Sequence, residues 1–155
     1  MAKFNFRLQQ FLDVKEQIEE QKEMEYGRAI RQLEEEKTRL RRMQEQLKAQ
    51  VEAQRIQVMN VLDPIEIKFL NTSIERLKAH ILFQEERVQA AAHYVEVKRQ
   101  ELVEAMKERK ALEIVRDKAQ EAFRIEENLA EQKQVDELVS FKYKILQDAK
   151  GAVQA

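Results

Sequence analysis

His80 and His93 are the two imidazoles of this 155-residue sequence, and it has no cysteine. Metal binding by histidine calls for further His, Cys or carboxylate ligands at set spacings. Neither histidine has a second His or Cys at such a spacing, so no metal site is expected. Carboxylates are plentiful, but general acid–base work needs a dry pocket that shifts their pKa values, and a helical chain with few turns offers none. Gly27 stands alone in "EYGRAI", whereas phosphate-binding loops use several glycines at a strand-to-helix turn. It is expected instead to mark a weak or bent point in a helix. Arg39, Arg41 and Arg42 form the nearest approach to a nucleic-acid patch. Glu34, Glu35 and Glu36 immediately precede them, and no aromatic is interleaved for base stacking. No catalytic residue, cofactor, metal or nucleic-acid partner is therefore expected, and the chain reads as an interaction protein rather than an enzyme.

The elements that carry these residues follow from composition. Charged residues make up 37% of the chain and aromatics 6%, with two glycines, one proline and no tryptophan. Helix formers dominate, the usage expected of long helices or coiled coils. The 28 basic and 29 acidic residues nearly cancel and are interspersed, so no global field attracts nucleic acid or membrane. "MAKFNFRLQQ" contains no apolar run of signal-peptide or membrane-span type.

Pro64, the single proline, divides two amphipathic stretches. Before it, Phe11, Ile18, Ala29, Leu33, Leu40, Met43, Leu47, Val51 and Val58 recur in steps of three and four, with Lys22, Glu36 and Gln54 in some slots. After it, the rhythm runs from Ile67, Leu70, Ile74, Leu77 and Ile81 to Ala119 and Phe123, interrupted by Gln84, Lys98, Arg109 and Arg116. Both have the narrow stripe of a coiled coil. At the junction Asp63 is placed as N-cap, Pro64 at the first helical position and Glu66 three residues after the cap, with Leu62 and Ile67 spaced for a hydrophobic staple. A second capping pattern, Thr72-Ser73-Ile74-Glu75, leaves open a tight turn or a short helical step.

The expected fold is all-α: one long antiparallel two-helix coiled-coil hairpin, with helix 1 over about 5–60, a turn over about 61–65, and a longer helix 2 over about 65–149. A parallel homodimer of one bent helix is the competing arrangement, and the short connection favours the hairpin. Pairing about the corner leaves roughly 25 residues of helix 2, some 40 Å at 1.5 Å per residue, without a partner. That overhang keeps Leu129, Val135, Leu138, Val139, Phe141, Tyr143, Ile145 and Leu146, which points to a docking end.

The opening "FNFRLQQFLDVKEQIEEQ" resembles that of the flagellar export stalk family, FliJ, at Phe4, Phe6, Leu8, Leu12, Lys15 and Glu16. "RKALEIVRDKAQEAFRIEENLAEQKQVDELV" is similar to the family's C-terminal segment at Lys133, Asp136 and Glu137. The resemblance implies a stalk-like antiparallel coiled coil without enzymatic activity. It would link the hexameric flagellar export ATPase to the cytoplasmic domain of the membrane export gate and escort export chaperones. It would be cytoplasmic, peripheral at the inner-membrane export apparatus, with no transmembrane segment. The implied ATPase contacts are Phe4, Phe6, Leu8, Phe11, Lys133, Asp136, Glu137 and Phe141. "SIERLKAHILFQ" resembles the gate-contacting pattern, which implies Ser73, Leu77, His80 and Gln84 as gate contacts, although Ser73 stands where a bulkier residue is usual. Phe69 and Phe83 are alternative exposed anchors. A generic coiled-coil tether and the stalk of a non-flagellar type III secretion system remain open alternatives.

Overall fold

The computed structural model describes residues 2–60 and 63–154. Two α-helices, α1 (Gln9–Asn60) and α2 (Pro64–Gln154), pack against each other as a helical hairpin, and no strand occurs among the described residues. α1 has 52 residues and α2 has 91. α1 starts later than the expected residue 5, because Ala2–Phe6 have no regular structure. The Gln9 amide donates to the Phe6 carbonyl at 3.2 Å and the Leu12 amide to Leu8 at 3.0 Å. α2 continues past residue 149 to Gln154.

The corner is built as its residue types require. Asp63 Oδ1 accepts from the Ile65 amide at 3.1 Å, satisfying one of the donors that a helix start leaves unpaired. The Asp63 carbonyl accepts the first intrahelical bond, from Ile67 at 3.1 Å. Pro64 occupies the first helical position, where its missing N–H costs nothing. Glu66 lies in the acidic first turn, which suits the helix dipole. Leu62 lies outside the described residues, and with it the expected staple to Ile67. The alternative start at Thr72 does not occur: α2 passes through it unbroken, and Thr72 Oγ1 donates back to the Lys68 carbonyl at 2.9 Å. Gly27 likewise lies within an unbroken α1.

Contacts divide the chain into two units, Glu16–Lys107 and Met1–Lys15 with Glu108–Ala155. In the first, α1 and α2 run antiparallel. Lys22 meets Glu101, Glu25 meets Lys98 and Gln50 meets Ser73, each pair of numbers adding to 123. The seam on α2 keeps strict steps of three and four from Ile67 through Ile74, Ile81, Gln84, Val88 and Ala91 to Ala105, all of them sheltered from solvent. Its partner on α1 runs through Glu19, Lys22, Tyr26, Ala29, Leu33, Glu36, Leu40, Met43, Leu47, Gln50 and Gln54. Val51 and Val58, expected on this seam, are exposed. Gln50 and Gln54 hold the neighbouring seam positions and meet Ser73 and Asn71 of α2 through side-chain hydrogen bonds.

In the second unit, Leu12 is fully buried while Phe11, expected on the seam, is 63% exposed. Leu12 and Lys15 hold heptad positions here beside the outward Phe11, and in the first unit buried Glu19 likewise holds the position that apolar spacing assigned to Ile18. Lys15 Nζ lies 2.7 Å from Glu108, and Phe4 packs on Phe123 with ring centroids 5.5 Å apart. Arg109, Leu112, Arg116, Ala119 and Phe123 form the sheltered face of α2 here. Beyond Glu127 every described residue is exposed.

Candidate functional site

His80 and His93 are both exposed, and no group of His, Cys, Asp or Glu among the described residues could hold a metal ion. The basic run is matched along its own helix. Arg39 lies 3.4 Å from Glu36, Lys37 lies 3.7 Å from Glu34, and Arg41 donates to Thr38 Oγ1 at 3.4 Å. The groove beside Arg39 and Arg42 is also lined by Glu34 and Glu35, so its field is mixed rather than basic. No helix of the described residues is long and apolar enough to cross a membrane. What the molecule presents is an apolar seam interrupted by polar layers inside, and further apolar side chains outside.

The seam has two polar layers of consequence. In one, Gln84, only 3% exposed, donates through Nε2 to the Glu36 carbonyl at 3.0 Å and to the Glu36 carboxylate at 2.5 Å. Burying these groups is tolerable because each satisfies the other. In the other layer, Lys22, Glu25, Lys98 and Glu101 close a four-membered network. Lys98 Nζ lies 3.1 Å from Glu101 and 3.2 Å from Glu25, and Lys22 Nζ lies 3.2 Å from Glu101 and 3.5 Å from Glu25. Hydrogen bonding from Lys98, then Lys22, holds the Glu101 carboxyl below its usual range, and the bond from Lys98 does the same for Glu25. The bonds to Glu101 raise both ammonium groups in turn. Lys98 also sits over the Tyr94 ring, 5.4 Å from its centroid.

The four residues aligned with the gate pattern do not share an exposed stripe. Gln84 is buried against Glu36, Ser73 Oγ donates to Gln50 on α1 at 3.4 Å, and Leu77 lies on the sheltered seam. His80 alone of the four is exposed. The cause is the heptad itself, in which positions 77 and 84 fall on the seam and position 73 flanks it. The accessible side chains nearby are Phe69, 78% exposed, and Phe83, 62% exposed. With Arg76 and His80 they follow steps of seven, four and three, one face of a helix.

The residues aligned with the ATPase pattern divide in two. Phe6 is buried, Leu8 is half-buried, and Phe4 is engaged with Phe123, so all three close the end of the helix pair. Phe11, Lys133, Asp136, Glu137 and Phe141 are exposed. Val135, Leu138, Val139, Tyr143, Ile145 and Leu146 are exposed beside them.

Two long helices that pair through a polar-layered heptad seam and expose apolar side chains off it define a coiled-coil interaction protein. Within that class the chain belongs to the flagellar FliJ protein family, whose model matches residues 4–145. Membership gives it a flagellar, type III export-related role and fits a structural rather than catalytic protein. No curated protein and no solved structure matches the chain.

Proposed function

We propose that the chain is the non-enzymatic stalk of the flagellar type III export apparatus. It works in the cytoplasm, at the inner-membrane export machinery. It links the hexameric export ATPase to the cytoplasmic domain of the export gate and escorts export chaperones. The observation that carries this reading is that α2 bears a dense run of exposed apolar side chains, Val135–Leu146, in its last quarter, where every described residue is exposed, and exposed Phe69 and Phe83 near its start. A linker needs two docking surfaces, and exposed apolar clusters are where proteins dock.

The gate contact falls to Phe69, His80 and Phe83, because Gln84 and Ser73 are engaged with α1. The ATPase contact falls to Phe141 and its apolar neighbours, with Phe4, Phe6 and Leu8 holding the helices together beside them. Two variants test the division. Phe69→Asp with Phe83→Asp should lose binding to the gate's cytoplasmic domain and keep stimulation of the ATPase. Deletion of residues 132–155 should do the reverse while circular dichroism shows the remaining helices intact. Equal loss of both activities in either variant counts against a two-ended linker.

A further inference from the structure

The side chains that flank the seam differ on its two sides. On one side, within Glu16–Lys107, His80, Arg87 and Tyr94 of α2 recur every seven residues, and Arg76, Phe83, Ala90 and Val97 form the next row outward. Gln32 and Arg39 of α1, with Arg28, Glu35 and Arg42 outside them, hold the matching rows. The two sets share one groove: Gln32 and Glu36 of α1 and Arg87, Ala90, Ala91 and Tyr94 of α2 line a depression of about 310 Å³. These rows carry five arginines against Glu35 alone. Over the same stretch the rows on the opposite side carry Lys37, Arg41 and Lys78 against Glu34, Glu85 and Glu96. Charge that balances along the sequence is thus sorted around the hairpin. All five arginines are exposed. Arg39 pairs with Glu36. Arg28, Arg42, Arg76 and Arg87 have no ion-pair partner among the described residues.

We infer that this side of the hairpin, over residues 28–42 of α1 and 76–97 of α2, takes an acidic amphipathic helix of a partner protein, laid lengthwise in the groove between α1 and α2. Every fully charged cation in these rows is arginine, whose planar fork binds a carboxylate through two parallel hydrogen bonds. Among the arginines, exposed Phe83, Tyr94 and Val97 present apolar surface that gains only from apolar partner atoms. Lipid headgroups or a phosphate backbone would match the arginines and leave that surface wet. Single-stranded nucleic acid stacks on aromatics, but Phe83 and Tyr94 lie about 16 Å apart along α2, too far for successive bases. Ala90 and Ala91 are small enough to let a third helix come close to the pair. Arg76 to Val97 covers about 32 Å of α2, so the matching helix has about 20 residues, with carboxylates on both flanks of an apolar stripe. Which export component supplies it rests on the stalk reading above; its charge and shape do not.

Binding of the full-length chain to the purified gate cytoplasmic domain and to purified export chaperones tests this. At least one should bind, and raising NaCl from about 0.05 to about 0.3 M should weaken it about tenfold or more. Arg28→Glu with Arg87→Glu should also weaken it about tenfold or more, and Arg28→Gln with Arg87→Gln by less. Lys37→Glu with Lys78→Glu, on the opposite side, should change it by less than about twofold. Circular dichroism should show intact helices in all three variants. The chain has no cysteine, so a photo-crosslinker on Ala90→Cys reports a single site, and it should capture an acidic helix of the bound partner. Equal weakening by the two charge reversals overturns the inference, as does capture of a segment without carboxylates. So does binding of single-stranded RNA, of vesicles of mixed anionic and zwitterionic lipid, or of a second copy of the chain, with the same sensitivity to the arginine reversal. If the parent chain stimulates the ATPase ring and binds its partners regardless of that reversal, the groove loses its occupant and the stalk reading stands. If the parent neither stimulates the ring nor binds either partner, the stalk reading falls. A synthetic helix of about 20 residues, with glutamates flanking a Leu–Ala stripe, then decides the groove alone: binding lost on arginine reversal upholds it, and no binding overturns it.

Discussion

Gln84 and Glu36 show what a polar residue costs, and supplies, inside a helix seam. Alone, Gln84 would be a buried group without a partner, a loss of about 1–3 kcal/mol, and Glu36 would keep only Arg39 at 3.4 Å. Together they satisfy each other through the Gln84 amide. Gln84→Ala should therefore destabilise the hairpin by about 1–3 kcal/mol in urea or thermal melts, since it leaves the Glu36 carboxylate buried. Glu36→Leu with Gln84→Leu should recover most of that loss, because paired apolar residues replace the whole polar layer. Coincident melts for Gln84→Ala and the parent would mean that water substitutes freely at this layer. At the corner, Asp63→Ala removes the acceptor of the Ile65 amide and should cost about 1 kcal/mol, read as a lower melting temperature with helicity otherwise kept. An unchanged melt would show that the start of α2 is held by its packing alone.

At the scale of the helices, the network of Lys22, Glu25, Lys98 and Glu101 makes the pairing depend on pH. Glu25 and Glu101 titrate below the ordinary carboxylate range in the folded hairpin. The unfolded chain therefore binds protons first as pH falls. The contribution of these residues is whole above about pH 4–5 and is lost as pH drops through the lowered folded values. Lys22 and Lys98 titrate above their ordinary value, so their contribution is whole below about pH 10 and is lost as pH rises through the raised values. Stability measured against pH should show a plateau between these limits. Glu101→Gln should flatten the acid limb and reduce the sensitivity of the melt to salt, because it removes the carboxylate shared by both lysines. An acid limb of unchanged slope would assign acid unfolding to other carboxylates. The two helices also differ in how openly the sequence displays their pairing. The α2 seam was legible from Ile67 to Phe123 because few of its positions are polar. The α1 seam was not legible at Phe11, where an apolar neighbour, Leu12, takes the buried position, nor at Val51 and Val58, where polar Gln50 and Gln54 hold the last seam positions. Apolarity is a proxy for burial, and it fails where a cross-helix partner makes a polar side chain the better occupant.

For the molecule as a whole, hairpin topology and the position of the corner were legible from one proline and two matched rhythms. An apolar overhang was equally plain. Which side chains face outward was not, because four-residue and three-residue spacing describes a seam and its flanks alike. Gln84 and Leu77 fit a contact pattern by spacing and lie on the seam, while Phe69 and Phe83 lie outside it. The buried Gln84–Glu36 layer also bears on how such a hairpin can carry force. Suppose one helix slid along the other by a full heptad, the smallest step that preserves the seam. Gln84 would then face Met43 or Ala29, and Glu36 would face Leu77 or Ala91, leaving the Gln84 amide buried and unpaired at about 1–3 kcal/mol and the Glu36 carboxylate with Arg39 alone. Within Glu16–Lys107 the layer acts as a detent against slippage. A pull on one helix is carried across to the other rather than relaxed by a change of register, so this unit can pass on displacement but cannot store it by sliding.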